Sequence, residues 1–260
     1  MSVCLALAWN PRGEHERFRR YYPLFSQWYT RIVISAPPDA DPDALALLQP
    51  LSDVTVETRS DWATGRSIAL EMALQTGAEY IHYVDGDRLI RWCELQPDEL
   101  HRTIEAVQTV DYLVIGRTPA AFATHPQALQ RTESVTNEVF SQLVGQPLDL
   151  CAGSKGLSRA GVEFLLANAE PAGGLGTDAE WVILLHRAGF SIGSLLVNGL
   201  DWETADRYLP AAADAETQHQ AAEAYDANAK HWEFRVHVLQ ETVDAGLAAL
   251  RQPLKQERTG

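Results

Sequence analysis

The sequence predicts an α/β fold, a Rossmann-type sandwich in which helices cover both faces of a mostly parallel central sheet. Short runs of β-branched and aromatic residues alternate with helical segments up to about residue 200, which is typical of βαβ units. After Trp202 the composition becomes rich in Ala, Glu and Asp, which predicts a helical C-terminal extension. At 260 residues and 46% hydrophobic content, the chain is long enough to bury one substantial core.

Each predicted strand is a short apolar run that ends at a turn-forming or polar residue. The first, VCLALAW, is broken by Asn10-Pro11-Arg12-Gly13, and the second, RIVISA, by a Pro-rich loop. The fourth, YIHYV, runs directly into Asp85-Gly86-Asp87. The predicted strands cover residues 3–9, 31–36, 53–58, 80–84, 111–116 and 190–197.

Predicted helices fill the intervals between these strands. The helix that opens at Thr64 or Gly65 has apolar residues at helical spacing and ends at Gly77. Pro23 divides the first helical segment into two parts. The predicted helices cover residues 14–22, 24–29, 43–49, 64–74, 97–108, 127–144, 161–169, 178–188 and 231–250. We therefore predict an α/β domain over residues 1–203 and a helical extension over residues 204–260 that packs on it.

The formal net charge is −14, which argues against nucleic acid as a partner because an acidic chain repels phosphate backbones. Cys4, Cys93 and Cys151 are far apart, so we expect no disulfide framework and a reducing compartment. The N-terminus lacks the charge pattern of a signal peptide, and no apolar run approaches the roughly 20 residues of a membrane span. These features predict a cytoplasmic protein without a transmembrane segment.

Asp85 and Asp87, separated by Gly86, stand at the carboxyl end of an apolar strand, where ligands bind in parallel α/β sheets. Two carboxylates this close are costly unless a positive charge lies between them. Mn²⁺ or Mg²⁺ meets this need, because hard cations take carboxylate oxygens and bridge to substrate phosphates. Gly86 allows a ligand to approach the backbone closely. An ordinary Asp-Gly turn is the alternative interpretation of these residues alone.

Residues 65–87, GRSIALEMALQTGAEYIHYVDGD, resemble a stretch of the GT-A glycosyltransferases of the family 2 type, in which a glycine-opened helix leads into a strand ending in a DxD motif. Residues 176–181, GTDAEW, are similar to the acidic segment that precedes a helix and a closing strand in that family. The resemblance covers the topology of residues 3–200. It implies a GT-A-like nucleotide-sugar-binding and catalytic domain over residues 1–203.

The resemblance implies a metal-dependent, hexosyltransferase-like enzyme that moves a sugar from a nucleoside-diphosphate-sugar donor to the hydroxyl of a small acceptor. Asp85 and Asp87 would hold Mn²⁺ or Mg²⁺ and the donor, and Asp178 would be the general base of an inverting enzyme. The C-terminal region looks closer to small mannosyl- and glucosyltransferases that act on glycerate-like acceptors. Some of these add a late histidine to the metal site, and His231 or His219 is the candidate here.

Further residues are assigned to substrates from their positions in the predicted elements. Each has a plainer interpretation as a core, turn or helix-terminal residue. Asp201 or Glu203, after the last strand, could contact the metal, but a packed loop is the simpler interpretation. The donor-binding set is Trp9, Asn10, Asp61, Arg66, Asp85, Gly86 and Asp87, and the acceptor-binding set is Ser154, Lys155 and Glu180.

Other functions remain open at this stage. A phosphatase of the haloacid dehalogenase type also has a strand ending in DxD, but here Leu89 stands where that family has Thr or Val, and three strands precede the motif. A sugar nucleotidyltransferase would need a Gly-rich loop after the first strand, which Asn10-Pro11-Arg12-Gly13 does not provide. A protein that binds a nucleotide sugar without catalysis is compatible with the sequence. The amphipathic segment 231–250 leaves homo-oligomer formation open.

Overall fold

A computed structural model describes residues 1–58 and 61–255, which form one seven-stranded sheet with helices on both faces. The strand order is β3-β2-β1-β4-β6-β5-β7, and only β6 runs antiparallel to its neighbours. The predicted mostly parallel α/β fold is therefore confirmed. The strands are β1 Val3–Ala8, β2 Arg31–Ser35, β3 Val54–Glu57, β4 Tyr80–Val84, β5 Tyr112–Arg117, β6 Ser154–Ser158 and β7 Ile192–Val197.

Helices connect the strands and continue to the C-terminus. Among the described residues, none of these helices is long and apolar enough to cross a membrane. Residues 256–260 of the predicted extension lie outside the described residues. The helices are α1 His15–Trp28, α2 Pro42–Leu48, α3 Gly65–Gln75, α4 Gly86–Leu95, α5 Pro97–Ala106, α6 Pro119–Ala123, α7 Gln127–Val144, α8 Arg159–Asn168, α9 Thr177–Arg187, α10 Ala215–Asp226 and α11 Ala229–Arg251.

The observed elements differ from the prediction at Pro23, α4, α6 and β6; α6, Pro119–Ala123, is a short helix that the sequence does not predict. Pro23 does not divide the first helix, because it lies on the exposed side of α1, where a carbonyl without an internal partner faces water. The sequence does not predict α4, which begins at the Asp-Gly-Asp motif itself. It also does not predict β6, whose residues SKGLS have low strand preference and are held in place by β4 on one side and β5 on the other.

Alternate residues of the central strands enter two cores, one on each face of the sheet. On β1, Cys4 and Ala6 belong to the core shared with α3, α8 and α9, whereas Val3, Leu5 and Leu7 belong to the core shared with α1, α4 and α5. Burial on both faces is characteristic of parallel strands. The ends of the central strands are therefore where polar side chains can face a ligand.

The C-terminal helix α11 packs on α7 and α9 beside the first of these cores. Gly246 allows the close approach, because a Cβ at this position would lie 2.3 Å from the Phe140 ring and 2.8 Å from the Cβ of Ala179. Arg187 of α9 donates hydrogen bonds to the carbonyls of Ala249 and Gln252. The extension is thus packed against the sheet domain along its length.

Candidate active site

A cavity of about 510 Å³ opens at the carboxyl edge of the parallel strands β1, β2 and β4. Its size is within the range of small-molecule sites. The first turns of α3 and α4 face it, together with the loop after β3 and a short 3-10 turn at Gly174–Gly176. The lining residues are Ala8, Trp9, Asn10, Arg12, Ser35, Pro37, Pro38, Asp39, Asp61, Trp62, Gly65, Arg66, Tyr83, Asp85, Asp87, Arg88, Gly174, Leu175 and Glu203.

The predicted donor residues meet at this cavity. Six of the seven line it directly, and the seventh, Gly86, lies beneath the ring of Trp9. A Cβ on Gly86 would stand 2.3 Å from Cγ of Trp9, so the first turn of α4 reaches the end of β1 only because residue 86 has no side chain. The six lining residues are Trp9, Asn10, Asp61, Arg66, Asp85 and Asp87.

Asp85 is the residue that precedes α4, and its carboxylate is surrounded by donors. The Tyr83 hydroxyl donates to one oxygen at 2.7 Å. The other oxygen lies 3.5 Å from Nη2 of Arg66 and 3.8 Å from Nε of Arg88. A quarter of the side chain remains exposed, toward the cavity that it lines. Asp85 therefore stays available to a ligand although two arginines stand beside it.

The carboxylates of Asp87 and Glu203 lie close enough for their negative charges to repel each other. Burial, followed by the charges of Glu203 and Asp85, raises the pKa of Asp87 to about 7. Glu203 is 7% exposed, and its Oε2 has no hydrogen-bond partner, with Nε of Arg88 the nearest cation at 3.7 Å. A buried carboxylate oxygen that lacks a donor is costly. A positive charge bound near Asp87 and Glu203 would therefore stabilise both carboxylates.

These carboxylates match the needs of a divalent cation. Mg²⁺ and Mn²⁺ prefer oxygen ligands, and Asp85, Asp87 and Glu203 offer them at one cavity. Within residues 1–58 and 61–255, no three His, Cys, Asp or Glu side chains already stand in a ligating arrangement. The fit therefore rests on the orphaned oxygen of Glu203 and on the raised proton affinity of Asp87.

The two candidate histidines lie away from this cavity. Nδ1 of His231 is 2.8 Å from the carbonyl oxygen of Tyr225, and the two rings stack at 3.9 Å. His219 is exposed on α10, where it stands 3.4 Å from Glu223. Neither ring lines the cavity: His231 packs at the junction of α10 and α11, and His219 lies on the exposed face of α10. Glu203, by contrast, lines the cavity, and its charge acts on Asp87.

Asp178 is buried in the first turn of α9 and does not line the cavity. Its Oδ1 accepts from Nη1 of Arg66 at 2.8 Å and from Nζ of Lys155 at 2.5 Å. Burial alone would raise the pKa of Asp178, but the charges of Arg66 and Lys155 outweigh it and hold the pKa below its ordinary value. Arg66 is the member of this group that reaches the cavity.

The three predicted acceptor residues are core residues. Ser154 and Lys155 belong to β6 rather than to a loop, and Ser154 Oγ lies 3.0 Å from Nε2 of the buried His82. Glu180 is 4% exposed and accepts from the amide of Glu170 at 2.9 Å. None of the three lines the cavity. The local sequence of Ser154 and Lys155 resembled a turn because the pairing partners of β6 are distant in the chain.

Arg88 and Glu203 are two charged residues that line the cavity and were not in the predicted sets. Arg88 directly follows the motif, and its Nη1 donates to the carbonyl of Ala152 at 2.7 Å. Glu203 was considered as a metal contact, but the simpler interpretation, a packed loop, kept it out of the predicted sets. The sequence positions of these residues were the one indication that they could lie near the motif. Arg88 falls in the first turn of the helix that the motif opens, and Glu203 follows the last strand. Neither position indicates by itself that the side chain turns toward the cavity.

No protein-family model and no curated protein sequence matches the chain. Among solved structures, it is similar to mannosyl-3-phosphoglycerate synthase from Rubrobacter xylanophilus, with 13% identity and a TM-score of 0.53 over 76% of this chain and 65% of that one.

It is also similar to glucosyl-3-phosphoglycerate synthase from Mycobacterium tuberculosis, with 14% identity and a TM-score of 0.58 over 97% of this chain and 81% of that one. A complex of that enzyme with Mn²⁺, UDP-glucose and phosphoglyceric acid gives 13% identity and a TM-score of 0.55, over 97% and 80% of the two chains. At this identity the similarity establishes the architecture: the chain has the GT-A fold that these glycosyltransferases share.

Proposed function

We propose that the chain is a metal-dependent glycosyltransferase that moves a sugar from a nucleoside-diphosphate-sugar donor to the hydroxyl of a small acceptor. The observation that carries this is the charge pattern of the cavity. Asp85, Asp87 and Glu203 stand beside Arg66 and Arg88 at the carboxyl edge of a parallel sheet. Carboxylates suit a cation, and guanidinium groups suit the diphosphate that the cation would accompany.

In the proposed reaction, the cavity residues hold the donor and stabilise the negative charge of the leaving diphosphate. A divalent cation, when bound by Asp85, Asp87 and Glu203, supplies positive charge to that diphosphate. Arg66 and Arg88 present guanidinium groups from two different helices toward the same region. Trp9, whose indole nitrogen is buried without a partner, closes the cavity beside Gly86. These contacts orient the donor and exclude water from its diphosphate.

The donor site is tested by thermal unfolding with Mn²⁺ and a nucleoside diphosphate. We expect UDP or GDP to raise the melting temperature when Mn²⁺ is present, because a ligand that binds only the folded state stabilises it. Asp87→Ala should abolish this shift. Asp98→Ala is the matched control, since Asp98 is an exposed acidic residue in the first turn of the next helix, α5. If neither nucleotide stabilises the wild-type protein with Mn²⁺, the proposal fails.

A protein that only binds nucleotide sugars is the remaining alternative. Incubation of the protein with UDP- and GDP-sugars and Mn²⁺ distinguishes a transferase from a binding protein. Without its acceptor, a transferase slowly transfers the sugar to water and releases the nucleoside diphosphate. We expect release from one donor above the background of the Asp87→Ala variant. Binding without release from any donor would favour the non-catalytic alternative.

A further inference from the structure

Three charged side chains from distant parts of the chain meet beneath the cavity. Arg66 comes from the start of α3, Lys155 from β6 and Asp178 from the start of α9. Their exposed fractions are 7%, 0% and 4%. Both cations bond to the same oxygen of Asp178. Burying three charges together is costly, so a contribution to stability does not by itself explain the arrangement.

The surroundings of Asp178 make it a poor acceptor of a substrate proton. Two cations are bonded to its Oδ1, and the N-terminus of α9 adds further positive potential. Each of these stabilises the ionised carboxylate and weakens it as a base. The side chain also does not line the cavity, whereas a general base must come within hydrogen-bond reach of the hydroxyl that it deprotonates.

Arg66 connects Asp178 to the cavity. Its Nη1 donates to Asp178 and, at 3.1 Å, to the Thr177 hydroxyl. Its Nη2 turns the other way and lies 3.5 Å from Asp85. The guanidinium stands over the Tyr83 ring, 5.6 Å from its centre. One edge of the guanidinium is therefore anchored in the protein, and the other edge faces the proposed donor.

We propose that Asp178 is a positioning residue, which holds Arg66 in the orientation that binds the diphosphate of the donor, rather than the general base of the reaction. Lys155 completes the arrangement: without Asp178, two buried cations would repel each other and Arg66 would lose its anchor. This inference rests on the proposed function, because the diphosphate is the ligand that Arg66 would meet.

Asp178→Asn separates the two roles. Positioning predicts that the dissociation constant for UDP or GDP with Mn²⁺, measured by calorimetry, rises about tenfold or more, as expected when a charge-assisted hydrogen bond is lost. Donor hydrolysis or transfer at saturating donor should fall by no more than about the factor by which binding weakens, because Arg66 also meets the leaving diphosphate. A general base predicts the opposite result: an unchanged dissociation constant and a turnover that falls by about 10²-fold or more. That second result would overturn the proposal.

A double-mutant cycle with Arg66→Ala tests whether the effect passes through Arg66. In the Arg66→Ala background, Asp178→Asn should weaken nucleotide binding no further, because the side chain that it positions is gone. An additional tenfold loss in that background would show that Asp178 acts by another route, and would contradict the proposal.

Thr177→Val provides a second variant if Asp178→Asn does not fold. It removes the other oxygen that anchors Nη1 of Arg66 but leaves all three charges in place. We expect the dissociation constant to rise roughly two- to fivefold, and an unchanged constant would count against the proposal. Glu163→Gln, an exposed change on α8 that removes the same charge as Asp178→Asn, is the control and should bind as the wild type does. A wild-type protein that binds no nucleoside diphosphate would refute the proposed function instead.

Discussion

Gly86 shows how one residue connects the motif to the first strand. The Trp9 ring lies where a side chain on residue 86 would be, and Trp9 is itself only 5% exposed. Since the backbone of Gly86 opens α4, the ring and the helix are packed directly against each other. Any side chain at residue 86 must displace the ring or the helix. This contact places Asp85 and Asp87 at the end of β1 as well as at the end of β4.

Gly86→Ala should therefore destabilise the protein, although alanine favours helices more than glycine does. We expect the free energy of unfolding to fall by about 1–3 kcal/mol, the usual cost of overpacking, as measured by urea denaturation. Combining it with Trp9→Ala should cost less than the sum of the two single changes, because the colliding ring is absent. Additive effects would contradict this explanation.

The raised pKa of Asp87 predicts that the stability of the metal-free protein depends on pH. Burial and the nearby charges of Glu203 and Asp85 raise its pKa from 3.8 to about 7, so the folded protein keeps this proton at a higher pH than the unfolded chain. The stability that the proton contributes is full below pH 3.8 and is lost as the pH rises through about 7. Asp87→Asn removes this titration.

In EDTA, the wild type should lose on the order of 2 kcal/mol more stability than Asp87→Asn between pH 5 and pH 8, given about 1.4 kcal/mol per unit of pKa shift and partial solvent screening. The measurement is the free energy of unfolding by urea at both pH values. Asp98→Asn, on the exposed first turn of α5, should follow the wild type. Parallel behaviour of the wild type and Asp87→Asn would refute the assignment.

At the scale of elements, α11 supports one wall of the cavity from outside. Oε1 of Glu241 accepts from the amides of Leu175 at 3.1 Å and Gly176 at 3.4 Å. These amides belong to the 3-10 turn that lines the cavity through Gly174 and Leu175. The C-terminal extension thus holds a loop of the sheet domain in place and does more than cover the core.

Glu241→Ala should loosen this turn without unfolding the protein. We expect faster hydrogen exchange at the amides of Leu175 and Gly176, by roughly two- to tenfold, because a hydrogen bond worth about 1 kcal/mol is lost. Nucleotide binding should weaken in parallel. Glu233→Ala, an exposed change on the same helix, is the control. Unchanged exchange at both amides would show that Glu241 does not hold the turn.

At the scale of the whole molecule, contacts cross the predicted boundary at residue 203. Asp206 pairs with Arg17 of α1 at 3.1 Å and with Arg91 of α4 at 2.6 Å, and all three side chains are buried. Gln218 of α10 donates to the carbonyl of Trp202. The segment after β7 therefore contributes to the packing of helices near the start of the chain.

A chain shortened to residues 1–203 should lose cooperative thermal unfolding, because it leaves Arg17 and Arg91 buried without Asp206 and exposes the face of α9 that α11 covers. Calorimetry of the purified fragment provides the measurement. A chain shortened to residues 1–255 retains every contact described here and is the control. Cooperative unfolding of the 1–203 fragment would show that the sheet domain is independent.

Much of the fold was predictable because its signals are local. Apolar runs and helical spacing are properties of neighbouring residues, and six of the seven strands are located by them. β6 is the exception: SKGLS is polar and contains glycine, and it becomes a strand only by pairing with β4 and β5. The acceptor assignments of Ser154 and Lys155 depended on that segment being a loop.

For the site, consecutive residues are enough to place Asp85, Gly86 and Asp87 at the end of a buried strand, because strand ends and motifs are local. Folding alone selects the side chains that join them. It brings Arg66, Arg88 and Glu203 to the cavity, keeps His231 at the α10–α11 junction and buries Asp178 between two cations. Local patterns do not contain this information, because the environment of a charge depends on residues a hundred or more positions away, as the contact between Arg66 and Asp178 shows.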